Sequence, residues 1–153
     1  AWEYLKKLDQ NVGAYYTASS TELVKQVSTG DYAVAIVFYH DGRHAVLDGD
    51  PIELCTPTDG TGYEIGVCAL IRNAPAGERE NACTFLDWMT SARGQECYIE
   101  AKSCRLPANS IARATDGLPS LDELNLISYD AEWAGENRSR LVRYFTENII
   151  NQY

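Results

Sequence analysis

Residues 36–45, IVFYHDGRHA, set an imidazole and a carboxylate, His40 and Asp41, directly behind an apolar run. Imidazole can donate or accept a hydrogen bond, and an ionised carboxylate can accept from two donors at once. Bonds to such charged groups are the stronger ones. The pair therefore suits a ligand rich in hydroxyls. Tyr39, or Tyr63 further along, could offer an aromatic face to the C–H side of a sugar ring. A purely structural role is also open, because Asp41 could cap a following helix. His44 stands four residues after His40, the spacing of a metal-binding pair on a helix. No third ligand has suitable spacing, so neither a metal centre nor a cofactor is expected. Arg43 is expected to be solvated.

These residues need elements to hold them. Residues 31–39, DYAVAIVFY, form a short, β-branched, nearly continuous apolar run between Gly30 and Gly42. That pattern predicts a buried, central strand. It would place Tyr39, His40 and Asp41 where a strand hands over to a loop, a position that favours ligand contact in open α/β sheets. PIELCTP (51–57) and GYEIGVCALI (62–71) read as further strands, joined by the turn-rich TDGTG. Helices are predicted on both sides of them. Trp2, Leu5, Leu8 and Val12 recur at helical spacing up to Gly13, and residues 19–30 carry Ser19 and Glu22 in capping-box register. Residues 40–48 read as a short helix or turn. Residues 76–94 form an amphipathic pattern with Ala82, Phe85, Leu86 and Met89 on one face, and 95–103 could extend it as a second helix. Residues 104–128 are punctuated by Pro, Asn and Ser and predict irregular structure. The longest helix is expected over 130–153, with Leu141, Val142, Phe145 and Ile149 inward and Asp130, Glu132 and Glu136 at its positive end. The fold class implied is α/β, a mixed sheet flanked by helices.

The totals narrow the partners. A chain of 153 residues with 45% apolar composition can build one core. The net charge is −9, from 22 acids and 13 bases, with no basic run. A nucleic-acid partner is not expected on that balance, since phosphate binding relies on basic neutralisation. The tyrosines of AYY (14–16) are accordingly read as core or edge residues rather than a stacking platform. No stretch approaches the roughly 20 apolar residues of a membrane span. The opening AWEYLKKLDQNV reads as helix interior, without initiator Met or leader, so a mature product or a piece of a longer chain is expected. Of the five cysteines none forms C-x-x-C, which argues against structural zinc. Cys97 and Cys104 could pair in an oxidising compartment, and Cys83 reads as core. No nucleophile elbow, zincin helix or cysteine-protease signature suggests an enzyme.

Taken in order, AWEYLKKLDQNV, LVKQVSTGDYAVAI, PTDGTGYEIGVCALIRNA, FLDWMTSARGQECY, LPAN and YDAEWAGENRSRLV resemble the C-terminal half of extracellular solute-binding proteins of ABC transporters. The resemblance is to the type 2 periplasmic-binding fold, in its iron(III)-type and hexose-phosphate-binding branches. It implies that 1–153 is mainly the second lobe plus C-terminal helices, with the first lobe absent. It further implies a non-enzymatic receptor outside the cytoplasm. Such a receptor holds a small-molecule solute between two lobes and presents it to a membrane permease. The hexose-phosphate branch implies His40, Asp41 and Glu64 as ligand contacts, and all three residue types match. The ferric branch implies a tyrosine pair, of which only Tyr39 is present because His40 replaces the second. An extracellular sensing domain of a signalling receptor is the remaining alternative. A lone lobe would expose surface meant for its partner and could dimerise.

Overall fold

The computed structural model describes residues 1–12 and 19–150. Gly13, expected to stop the first helix, and the AYY tyrosines lie outside the described residues. The chain divides into two compact units, Ser20–Ile127 and the combination of Ala1–Ser19 with Ser128–Tyr153.

The terminal unit contains α1 (Trp2–Val12) and α6 (Ala131–Asn148). The rings of Trp2 and Tyr144 meet at 4.4 Å, joining the two helices through apolar surface. Asp130 caps α6 by accepting from the Trp133 amide at 2.9 Å. Glu132 follows in the first turn, where its charge suits the helix dipole, whereas Glu136 lies beyond that turn. Of the apolar face predicted for α6, Ile149 is fully buried and Leu141 and Phe145 are half-buried. Val142 is exposed. It follows Leu141 directly and so leaves the helix about 100° away from it.

The larger unit contains α2 (Ser20–Ser28), α3 (Tyr39–Asp48), α4 (Arg79–Thr90) and α5 (Ala92–Glu100), with 3-10 turns at Ala76–Glu78 and Leu121–Glu123. Helix α2 packs on α3, and α4 on α5. The Phe38 amide donates to the Ser20 hydroxyl at 3.0 Å, and the Ser28 hydroxyl donates to Asp50 at 3.1 Å. Both ends of α2 are thus tied to the matching ends of α3, and the two helices run in the same direction. Val24, Ala45 and Cys104 are this unit's buried apolar residues. Gly49 ends α3 at φ +95°, where its N–H bonds to the carbonyls of Ala45 and Val46.

Two expectations are overturned. The predicted amphipathic helix over 76–94 is broken at Ser91, whose backbone turns extended (ψ 159°) and whose hydroxyl accepts from the Gly94 amide at 3.1 Å. Serine side chains compete for backbone donors in this way, so α4 stops and α5 starts on its own cap. The larger correction concerns the fold class. Among the described residues there is no sheet, and the α/β reading fails. The sole ladder-like pairing is an isolated parallel bridge between Thr61 and Leu126, with Thr61 N–H bonded to the Asn125 carbonyl at 2.8 Å and Ile127 N–H to the Thr61 carbonyl at 3.1 Å. Segments 31–38, 51–57 and 62–71 form no helix and pair with nothing as strands. Val34 is 80% exposed, Ile36 86% and Val67 85%. A β-branched pattern encodes burial only when a neighbouring strand and a covering layer exist. Neither is supplied to these segments within this chain.

Candidate functional site

The residues that could carry chemistry gather at the start of α3. Phe38 occupies the N-cap with an extended backbone, and no side chain caps the first turn. The capping role open to Asp41 is therefore not the one it takes. The Phe38 amide is taken by the Ser20 hydroxyl and the Asp41 amide by the Phe38 carbonyl at 3.1 Å. Asp41 sits in that turn, where its charge suits the helix dipole. His40 Nε2 lies 3.6 Å from Asp41 Oδ1, and both side chains are about four-fifths covered. The imidazole stacks on the Phe38 ring at 5.3 Å and 18°. An apolar wall on one side and a carboxylate on the other fix its orientation.

The proton affinity of His40 is lowered from its ordinary value. Burial is the largest cause, and the positive charge of Arg105 adds to it. Asp41 and Glu64 act in the opposite sense. Glu64 and Arg105 therefore lie within electrostatic reach of the imidazole, although they are distant from it in the chain. The shift favours the neutral imidazole, which has one nitrogen to donate and one to accept.

Not every expected residue joins this group. Tyr39 precedes His40 by one position, so it leaves α3 about 100° away. It lines a separate crevice of about 260 Å³ with Arg43, Val46, Ile52, Glu53 and Leu54. Tyr63 stands exposed beside Glu64 on the segment 62–71. Arg43 is not solvated as expected. Its Nε and Nη2 donate to the Asp116 carbonyl at 3.3 and 2.9 Å, tying α3 to the 113–117 loop. His44 pairs with Asp48 at 3.3 Å, so the two histidines of α3 face different carboxylates. Among the described residues no three His, Cys, Asp or Glu side chains converge as a metal site. All five cysteines are thiols, and Cys97 and Cys104 are not bridged.

Sequence reasoning missed Arg105. Nothing in its spacing links it to His40. A second cavity, of about 530 Å³, is lined by Leu47, Ile99, Arg113, Ala114, Thr115 and Asp116, and none of the expected site residues borders it.

An imidazole with a carboxylate against it, and with a second carboxylate and a guanidinium in its field, is a set of groups able to hydrogen-bond a polar ligand. The chain belongs to the bacterial extracellular solute-binding protein family, whose sequence profile matches residues 1–124. An uncharacterised protein of Haemophilus influenzae is 31% identical over 152 residues, covering 97% of this chain and 43% of its own length. Among solved structures, the periplasmic binding protein AfuA of Actinobacillus pleuropneumoniae, with exogenous fructose 6-phosphate bound, superposes with a TM-score of 0.82 at 30% identity. That match covers 97% of this chain and 46% of AfuA. The chain thus spans a little under half the length of these relatives.

Proposed function

We propose that this chain is part of a receptor that captures a sugar phosphate, or a similar small polar anion, for an ABC importer. It would do so outside the cytoplasm and without chemical turnover. The observation that carries the reading is His40 held against Asp41, within the field of Glu64, in a chain whose structural neighbour AfuA has fructose 6-phosphate bound. Sugar hydroxyls donate to the two carboxylates and exchange either kind of bond with the imidazole. The solute is held between this part and the remainder of the protein, which also covers the exposed apolar side chains of 31–38 and 62–71. A membrane permease then receives it. Among the described residues no helix is long and apolar enough to cross a membrane. The ferric alternative loses ground, because Tyr39 lines a crevice that His40 does not border.

Isothermal titration calorimetry on the full-length protein tests this, with fructose 6-phosphate, Fe(III), polyamines and phosphonates as candidates. Fructose 6-phosphate binding is expected. Replacing His40, Asp41 or Glu64 by Ala should each weaken it by about 1.5–3 kcal/mol, the worth of a hydrogen bond to a charged group. A protein that ignores the sugar phosphate, or binds it equally well without these side chains, removes the reading.

A further inference from the structure

Phe38 stands where a helix start favours a different residue. Serine, threonine, aspartate and asparagine are preferred at an N-cap because their side chains accept from a first-turn amide. Phe38 occupies that position in α3, with an extended backbone at φ −69° and ψ 133°, and its side chain caps nothing. Nor does the ring serve the core, since the residue is 52% exposed. Such breaks in local preference are expected where a functional site needs them. The ring instead stacks on the His40 imidazole, with centroids 5.3 Å apart and planes 18° from parallel. His40 Nε2 lies 3.6 Å from Asp41 Oδ1. The imidazole is thus held from two sides, and Phe38 is one of its two holders.

Phe38 is itself held by its backbone. Its carbonyl accepts from the amides of Asp41 at 3.1 Å and Gly42 at 3.3 Å, which fixes it to the first turn of α3. Its amide donates to the Ser20 hydroxyl at 3.0 Å. Ser20 is the first residue of α2, 18 positions earlier in the chain, and α2 packs on α3. One helix therefore anchors the amide of Phe38 and the next anchors its carbonyl. The rotamers open to a side chain depend on its backbone angles, so this double anchoring sets where the ring points.

We infer that Ser20 is a positioning residue of the solute site: acting through Phe38, its hydroxyl holds the His40 imidazole in the orientation that meets a sugar hydroxyl. The inference rests on the solute-binding reading above. It extends the site to α2, through a residue that acts without touching the solute. Loss of the hydroxyl leaves the Phe38 amide without this partner and frees the ring. The imidazole then gains access to water. Its proton affinity, lowered above all by burial, should return toward the ordinary histidine value. Asp41, Glu64 and Arg105, the charged groups that act on His40, are not altered by the substitution.

The test combines calorimetry with fructose 6-phosphate and an NMR titration of His40, both on the full-length protein. Ser20→Ala and Phe38→Ala should each weaken binding about 3- to 10-fold and move the His40 titration upward in pH. Ser20→Thr, which keeps the hydroxyl, should return both readouts to those of the wild type. In a His40→Ala background neither substitution should weaken binding further, because no imidazole remains to be misplaced. A merely structural serine behaves differently. It gives the same loss of affinity with and without His40, or a lower melting temperature with the His40 titration unmoved. Either result overturns the inference. Ser20→Cys, which fills the same space with a poor acceptor, serves if the alanine variant does not fold. If His40→Ala weakens binding while Ser20→Ala changes neither readout, the serine's role alone fails. If the wild type ignores fructose 6-phosphate while Ser20→Ala still moves the His40 titration, the solute reading fails and the positioning of His40 stands.

Discussion

Ile36 gives the sharpest test of the proposed cover over 31–38. In the 153-residue chain it is 86% exposed, so about a seventh of its surface is covered. Full burial of an isoleucine side chain contributes about 1.5–3 kcal/mol. The same area reasoning leaves it about 0.2–0.4 kcal/mol here. Ile36→Ala should therefore barely change the stability of the isolated chain. In the full-length protein, with the remainder of the polypeptide over 31–38, the substitution empties a packed position and should cost about 2–5 kcal/mol. Val67, 85% exposed, should behave in the same way. Urea unfolding of both lengths, followed by circular dichroism, reads the difference directly. A loss below about 0.5 kcal/mol in the full-length protein would mean that the segment faces water there too. The proposed cover would then be wrong.

Other consequences follow from single contacts. A Cβ at Gly94 would run into the Trp88 carbonyl and the Met89 backbone, so Gly94→Ala should cost about 2 kcal/mol or more in chemical denaturation. Gly135 in α6 has open space around it, and Gly135→Ala should stabilise by about 0.5–1 kcal/mol; opposite signs are the expected outcome. His40 has a lowered proton affinity in the folded state, so the unfolded chain binds more protons as the pH falls. Its contribution is present above the ordinary histidine value of about 6.5 and is lost as the pH drops toward the lower folded value. Thermal melts between pH 7.5 and 5 should show that loss in the wild type and less of it in His40→Gln. Burial raises the Cys104 thiol above its ordinary range, so a thiol reagent should modify exposed Cys55 and Cys68 quickly in the 153-residue chain and Cys104 only on unfolding. Equal rates at all three would contradict the packing of Cys104 described here.

The helices were legible because their information is local. Trp2, Leu5, Leu8 and Val12 mark α1 at a fixed period, and Asp130 announces the start of α6, whatever lies elsewhere in the chain. Ser91 shows the limit of periodicity. The apolar pattern runs through it, but one hydroxyl bonded to the Gly94 amide divides the helix. The strand pattern at 31–39 misled for a different reason. Alternation and β-branching report that a segment is destined for burial, and they do not name the partner. Among the described residues no strand pairs with 31–38, and Val34 and Ile36 stand in solvent, so the strand reading was wrong for this chain.

The site divides along the same line. His40 and Asp41 adjoin in the sequence, so their pairing could be read directly. Glu64 entered through resemblance, and Arg105, whose charge acts on His40, did not enter at all, because nothing in its spacing links the two. Tyr39 looked equivalent to His40 in the sequence, yet it lines a crevice that His40 does not border. Had 31–41 been a strand running into a loop, Tyr39 and Asp41 would have shared one side and His40 would have faced the other. In the helix observed, His40 lies against Asp41 and Tyr39 shares a crevice with Ile52 and Leu54. On the proposed reading, the start of α3 holds the side chains that meet the solute. Any substitution that unwinds its first turn should cost ligand affinity before it costs global stability.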